Sequence, residues 1–197
     1  MTEAERRITP ADILPPAQYT AERTARRAGL MDLKRMRRVE VGPYCTFYFE
    51  NYDTMWQQVH EMLHIEKGGA AQIADELLAY NPLIPQGAEL IATMMFEIED
   101  PMRRADILRR LTNVEETVFF EIAGKRIPAA ADDGVGRTAA DGKTSSVHFL
   151  HFHFAAGEIA AFQAPGARAL LGIEHPNYAH MAVLGEETRA ALASDFA

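Results

Sequence analysis

The sequence predicts an α+β fold: one domain with a mixed or antiparallel sheet, packed helices and a helical C-terminal tail. Three observations carry that prediction. Segments of helical and strand period alternate irregularly, not in the strict β–α–β order of a doubly wound sheet. Two short apolar runs, residues 117–122 and 125–130, flank Ala123-Gly124 and read as a hairpin. The chain has 197 residues, 48% of them apolar and 24% charged, which is the size and make-up of one globular domain. A chain of this length buries roughly 70% of the surface its unfolded form exposes, so it needs no staple. The expected layout is a single domain over 1–197, with an α+β core (1–156) and a C-terminal helical extension (157–197).

The elements follow in order. Pro15-Pro16 opens a charged helix over 17–38, with Tyr19, Leu30 and Leu33 supplying apolar contacts and Gly29 interrupting its middle. Gly42-Pro43 breaks the chain before an aromatic, β-branched strand over 44–50. The strongest helix covers 54–67, with Asp53 placed to cap it. Met55, Trp56, Val59, Met62 and Leu63 share one face at the 3.6 period, and Gly68-Gly69 stops it. A helix over 71–80 ends at Asn81-Pro82, and 90–98 is a buried-type strand. Pro101 opens a helix through Leu111, and the hairpin follows. Residues 132–146 form a polar loop, and 147–154 is a strand. The tail carries short helical pieces broken at Pro165-Gly166 and at His175-Pro176-Asn177-Tyr178, then a closing helix over 186–193.

Bulk properties exclude several classes. A net charge of −8 argues against nucleic acid, whose phosphates call for a basic surplus. The local cluster of Arg23, Arg26, Arg27, Lys34, Arg35, Arg37 and Arg38 reads first as a solvated helix face and second as an anion or partner patch. Cys45 is the sole cysteine, which removes intramolecular disulfides and cysteine-rich metal motifs. With no signal-like opening and no apolar run near the roughly 20 residues that span a bilayer, the expectation is a cytoplasmic protein without a membrane partner.

Several strings bear on chemistry. His60-Glu61-Met62-Leu63-His64 matches H-E-x-x-H, in which two histidines one helical turn apart ligate zinc and the glutamate works on its water. Measured from Val59, His60 and His64 lie about 100° and 140° round the helix, so they and Glu61 point away from the core together. No third ligand follows in the extended pattern, and Lys67-Gly68-Gly69-Ala70 stands there instead. His151 and His153 share one face of a strand, a spacing that chelates metal or that solvent-facing histidines adopt. His148 lies on the more apolar face. Glu66 falls near the middle of the helix's apolar face, either as a fraying end or as a polar core residue. Gly142-Lys143-Thr144 resembles a phosphate loop, but the spacing to Gly136 is wrong and a strand follows. Neither a dinucleotide fingerprint nor a G-x-S-x-G elbow is present.

Taken together, Arg37-Arg38-Val39 before Gly42-Pro43, the run Ala79-Tyr80-Asn81-Pro82-Leu83-Ile84-Pro85, Lys143-Thr144-Ser145-Ser146-Val147-His148-Phe149-Leu150, and His175-Pro176-Asn177-Tyr178 with His180 resemble the bacterial family catalogued as domain of unknown function 3501. The resemblance implies no activity. It implies an accessory role beside redox or metal-handling proteins. Glu61, Glu66, Tyr80, Asn81, His148, His175 and His180 match its pattern, whereas His60, His64, His151 and His153 depart from it.

The expectation is therefore an accessory binding protein with a ligand site from Arg37, Arg38, Glu61, Glu66, Tyr80, Asn81, His148, His175 and His180. Its expected partners are a second copy of itself and a redox protein. The competing expectation is a metal-dependent hydrolase, with zinc, iron or manganese on His60 and His64 and Glu61 as general base.

Overall fold

The computed structural model describes residues 6–131 and 142–196. The phosphate-loop resemblance at Gly136 and most of the expected loop fall outside the described residues.

The first helical stretch is split as Gly29 suggests: α1 (Pro16–Gly29) starts on Pro16, and a short α2 (Met31–Met36) follows. Arg38–Val41 is already a strand, β1, pairing antiparallel with β2 (Cys45–Glu50). Helix α3 (Tyr52–Glu66) begins two residues earlier than its hydrophobic period suggests. Its cap is Asn51, not Asp53: Asn51 Oδ1 accepts from the Thr54 N–H (3.0 Å) and Thr54 Oγ1 accepts from the Asn51 N–H (2.9 Å). Then come α4 (Gly69–Tyr80), β3 (Glu89–Phe96), α5 (Pro101–Arg109), the hairpin β4 (Val118–Ile122) and β5 (Lys125–Pro128), the short β6 (Ala130–Ala131) and β7 (Val147–His153). Among the described residues, no helix is long and apolar enough to cross a membrane.

The end of the chain differs most from expectation. Helices α6 (Ala156–Gln163) and α7 (Glu186–Ala193) are present, but between them run two strands, β8 (Ala169–His175) and β9 (Tyr178–Val183). They are part of the core architecture. Strand β8 pairs along β4, and Ala169, Leu171, Ile173 and Tyr178 are buried with the rest. Ala-Leu-Leu-Gly lacks the β-branched and aromatic signal of a strand. Gly172 is required by packing: a Cβ there would lie 2.6 Å from the Phe119 ring.

Two antiparallel sheets result, one in the order β1-β2-β3-β7-β6 and the other β5-β4-β8-β9. Period-two alternation sends Phe47, Phe49, Leu90, Met94, Leu150 and Phe152 of the first sheet against Phe120, Leu171 and Ile173 of the second. Helices α6 and α7 close this core through Phe162 and Leu192. The opposite face of the five-stranded sheet carries Ile91 and Phe149. It packs against α3 and α4 through Met55, Val59 and Leu77, with Ile8 of the N-terminal segment.

Candidate functional site

Helix α1 crosses α3, and the crossing is polar. Tyr19 is buried, with its ring 4.9 Å from that of His60 and edge-on to Trp56. Its hydroxyl donates to Glu61 Oε1 (2.7 Å). Glu61 also accepts from Arg23 Nε (2.9 Å) and Nη2 (2.7 Å) and from Gln57 Nε2 (3.0 Å), with Arg27 at 3.9 Å. The Arg23 fork, aided by Tyr19, holds the Glu61 carboxyl down at about 2. Burial and the bond to Glu61 push the Tyr19 phenol well above its ordinary value.

His60 is buried as well. The Leu14 N–H lies 3.0 Å from His60 Nε2, which must therefore accept, so the ring proton sits on Nδ1 and is donated to the Trp56 carbonyl (2.8 Å). Burial lowers its affinity for a second proton. Trp56 stacks on the ring at 3.7 Å and donates its indole N–H to Asp12 O (3.0 Å). His60 thus has no lone pair left for a metal, Glu61 is held by two arginines, and His64 Nδ1 lies 3.3 Å from Thr20 Oγ1. The H-E-x-x-H string forms no zinc site. Helical spacing places the three residues on one flank correctly. That flank, however, faces α1 and residues 10–16 instead of solvent.

Beside this crossing lies a cavity of about 640 Å³, bounded by residues 10–16, α1, α3 and the start of α4. Most of its wall is apolar, with Ile13, Leu14, Pro15, Leu63 and Ile73 prominent, while His60 and Tyr19 close its inner side. The other polar side chains on its wall are those of Thr20, His64 and Lys67. Lys67 ends α3 in the left-handed conformation (φ 56°), and no carboxylate among the described residues lies within ion-pair distance of it. Gly69 and Ala70, the first residues of α4, also line the cavity, and no side chain caps that helix. Gln72 Oε1 folds back to accept from the Gly68 N–H (2.8 Å), and the N–H groups of the first turn itself have no side-chain acceptor among the described residues.

The other expected site residues do not converge here. Arg37 is buried and acts as a fold pin. Its Nε donates to Phe49 O (2.9 Å), Nη2 to Glu50 O (2.9 Å) and Nη1 to Ala191 O (3.2 Å), and it is ion-paired with Asp195. Burial pushes the Asp195 carboxyl up against the pull of that guanidinium. Arg38 is half-exposed and pairs with Glu40 (2.9 Å). Glu66 is exposed at the end of α3, where it accepts from Gln72 Nε2 (2.8 Å), and the Tyr80 hydroxyl accepts from Gln58 Nε2 (3.4 Å). Asn81 clamps the N-terminal segment, accepting from Ile8 N–H (2.7 Å) and donating to Ile8 O (2.9 Å). His148 is buried between the sheets, with Nε2 3.2 Å from Thr144 Oγ1 and Nδ1 3.8 Å from Glu115. His175 accepts from Asn177 N–H at Nδ1 (3.2 Å), so its Nε2–H donates to Thr112 O (3.2 Å). His180 packs edge-on to Tyr178 (4.6 Å) and against Gly42, where a Cβ would meet its ring at 2.6 Å. Most of the residues shared with the family pattern hold this structure together, and none of them lines the cavity; Glu61 comes nearest, bonded to the Tyr19 hydroxyl behind the inner wall.

The pattern of the family described as "Protein of unknown function (DUF3501)" matches residues 7–196. The chain belongs to that family. A crystal structure from Burkholderia pseudomallei, described as a novel protein of unknown function and determined at 1.90 Å, is similar throughout. It is 34% identical, with a TM-score of 0.90 over 98% of this chain and 100% of that one. No curated protein matches the sequence. The DUF3501 fold is thus two stacked sheets with a helical layer, and the cavity lies in that layer.

Proposed function

We propose that this protein is a binding protein for a small amphipathic acid. The ligand's apolar body would occupy the cavity between α1, α3 and α4, and its carboxylate or phosphate would sit at Lys67, His64 and the first turn of α4. One observation carries the reading: an apolar wall of ligand-binding size that ends at Lys67, which no carboxylate among the described residues pairs, and at the first turn of α4. Binding is favoured over turnover by the state of the titratable groups. Both His60 nitrogens are engaged, Tyr19 donates to a carboxylate, and the Thr20 hydroxyl beside His64 donates to the Pro16 carbonyl (2.8 Å), so no hydroxyl on the wall gives its proton to a free base.

Trp56, the sole tryptophan, stacks on a ring of the cavity wall and reports occupancy by its fluorescence. Decanoate is expected to bind, with decanol about tenfold weaker, a difference of about 1.4 kcal/mol. Lys67→Met should erase that preference, and Ile73→Phe, which fills the cavity, should weaken both ligands. Equal affinity for acid and alcohol, or binding indifferent to Ile73→Phe, would overturn the reading.

A further inference from the structure

We propose that Glu89, His151 and His153 form a binding site for a divalent transition-metal ion of the zinc or ferrous type. The site rests on different elements from the cavity, and its case does not depend on that reading.

The argument starts from register. Strands β3 and β7 pair antiparallel, with Glu89 opposite His153 and Ile91 opposite His151. Alternation puts His151 and His153 on one face of β7, and the register puts Glu89 on that same face of its neighbour, about 5 Å away between Cβ atoms. The three side chains converge. Glu89 Oε2 lies 3.1 Å from His151 Nδ1 and 3.5 Å from His153 Nδ1, and one donor atom from each residue falls within 4.8 Å of the other two. The imidazole planes are within 25° of parallel, at 6.0 Å between centroids. No other group of three such donors is found among the described residues.

Burial grades the ligands. The side chains of Glu89 and His151 are 12% and 19% exposed, and that of His153 is 69% exposed. An ion here would meet protein on one side and water on the other, which leaves coordination positions open. Glu89 is oriented from behind by the Gln86 N–H, which donates to its second oxygen, Oε1, at 3.3 Å. Two imidazoles and one carboxylate suit zinc, ferrous iron or cobalt. Magnesium and calcium prefer all-oxygen sites, and cuprous ions prefer thiolate. Strand pairing holds all three donors, so little order has to be created on binding.

Chelator-stripped full-length protein should take up about one equivalent of zinc by calorimetry and develop visible d–d bands with cobalt. Excess magnesium should displace neither ion. Glu89→Gln, which keeps shape, and His153→Ala, which removes an exposed ring, should each lower zinc affinity on the order of 10- to 100-fold with the melting temperature held. His64→Ala should leave it unchanged. Uptake below one equivalent, affinity unaltered in both variants, or loss in His64→Ala would overturn the assignment.

Discussion

The two faces of the five-stranded sheet are packed by different means. Toward the second sheet the contact is aromatic and dry. The Phe120 ring sits 4.8 Å from Phe152, 5.7 Å from Phe49 and 6.0 Å from Phe162, with no exposed surface. Toward the helices the apolar cluster is small, and much of the work falls to directed hydrogen bonds: Asn81 to Ile8, His60 to Leu14, Trp56 to Asp12, and Glu61 to its four donors. Close-packed rings leave no room for a ligand. Side chains that grip a backbone at a few points can hold it clear of the surface beneath, and a cavity survives. The densest packing lies on one face of the sheet, and the cavity lies in the helical layer on the other.

The sharpest way to break that comparison is Phe120→Ala. It should cost about 3–5 kcal/mol by denaturant unfolding, while the protein that remains folded binds decanoate as before. A small cost, or a loss of binding greater than the loss of folded protein, would show that the two faces are not separable. Asn81→Ala tests the other face. Losing both bonds to Ile8 should cost about 1–3 kcal/mol, and residues 6–15 should exchange amide hydrogens faster than the sheets do. Decanoate affinity should fall further than the melting temperature suggests.

The smallest expected effect is in pH. The fold holds the His60 ring below its ordinary value of 6.5, so its contribution is complete above that value and declines as pH falls through it toward the lower folded value. Glu61, held at about 2 against an ordinary 4.5, contributes above 4.5 and loses that contribution between the two. Between pH 7.5 and 5 the helical layer should therefore loosen before the aromatic core. Amide protection, taken relative to the intrinsic exchange rate at each pH, should fall around Leu14 and stay level in β4, and His60→Gln should remove the difference.

Local patterns were legible in the sequence, and pairings across distance were not. Helix α3, strands β2, β3 and β7 and the β4–β5 hairpin follow from period and turn residues. Strands β8 and β9 do not, because their partner β4 supplies the reason for an extended Ala-Leu-Leu-Gly run. The zinc motif shows the limit most clearly: spacing tells which flank of a helix two histidines share, but not what lies over it. The same limit applied in reverse to His151 and His153, since their shared face could be read from alternation but Glu89 enters only through strand register. The cavity takes residues from segments up to 63 positions apart, such as Pro10 and Ile73, and no short window signals it.

The Arg37–Asp195 pair also bears on how the protein is made. The two residues are 158 positions apart, and Arg37 reaches the carbonyl of Ala191 as well. Until α7 has been synthesised and docked, a guanidinium destined for the interior has only the carbonyls of Phe49 and Glu50 to accept its protons. An uncompensated buried charge is costly, so β1 and β2 cannot settle into final form on a growing chain. The N-terminal half therefore reaches its final form only after a segment 158 positions further along the chain has docked.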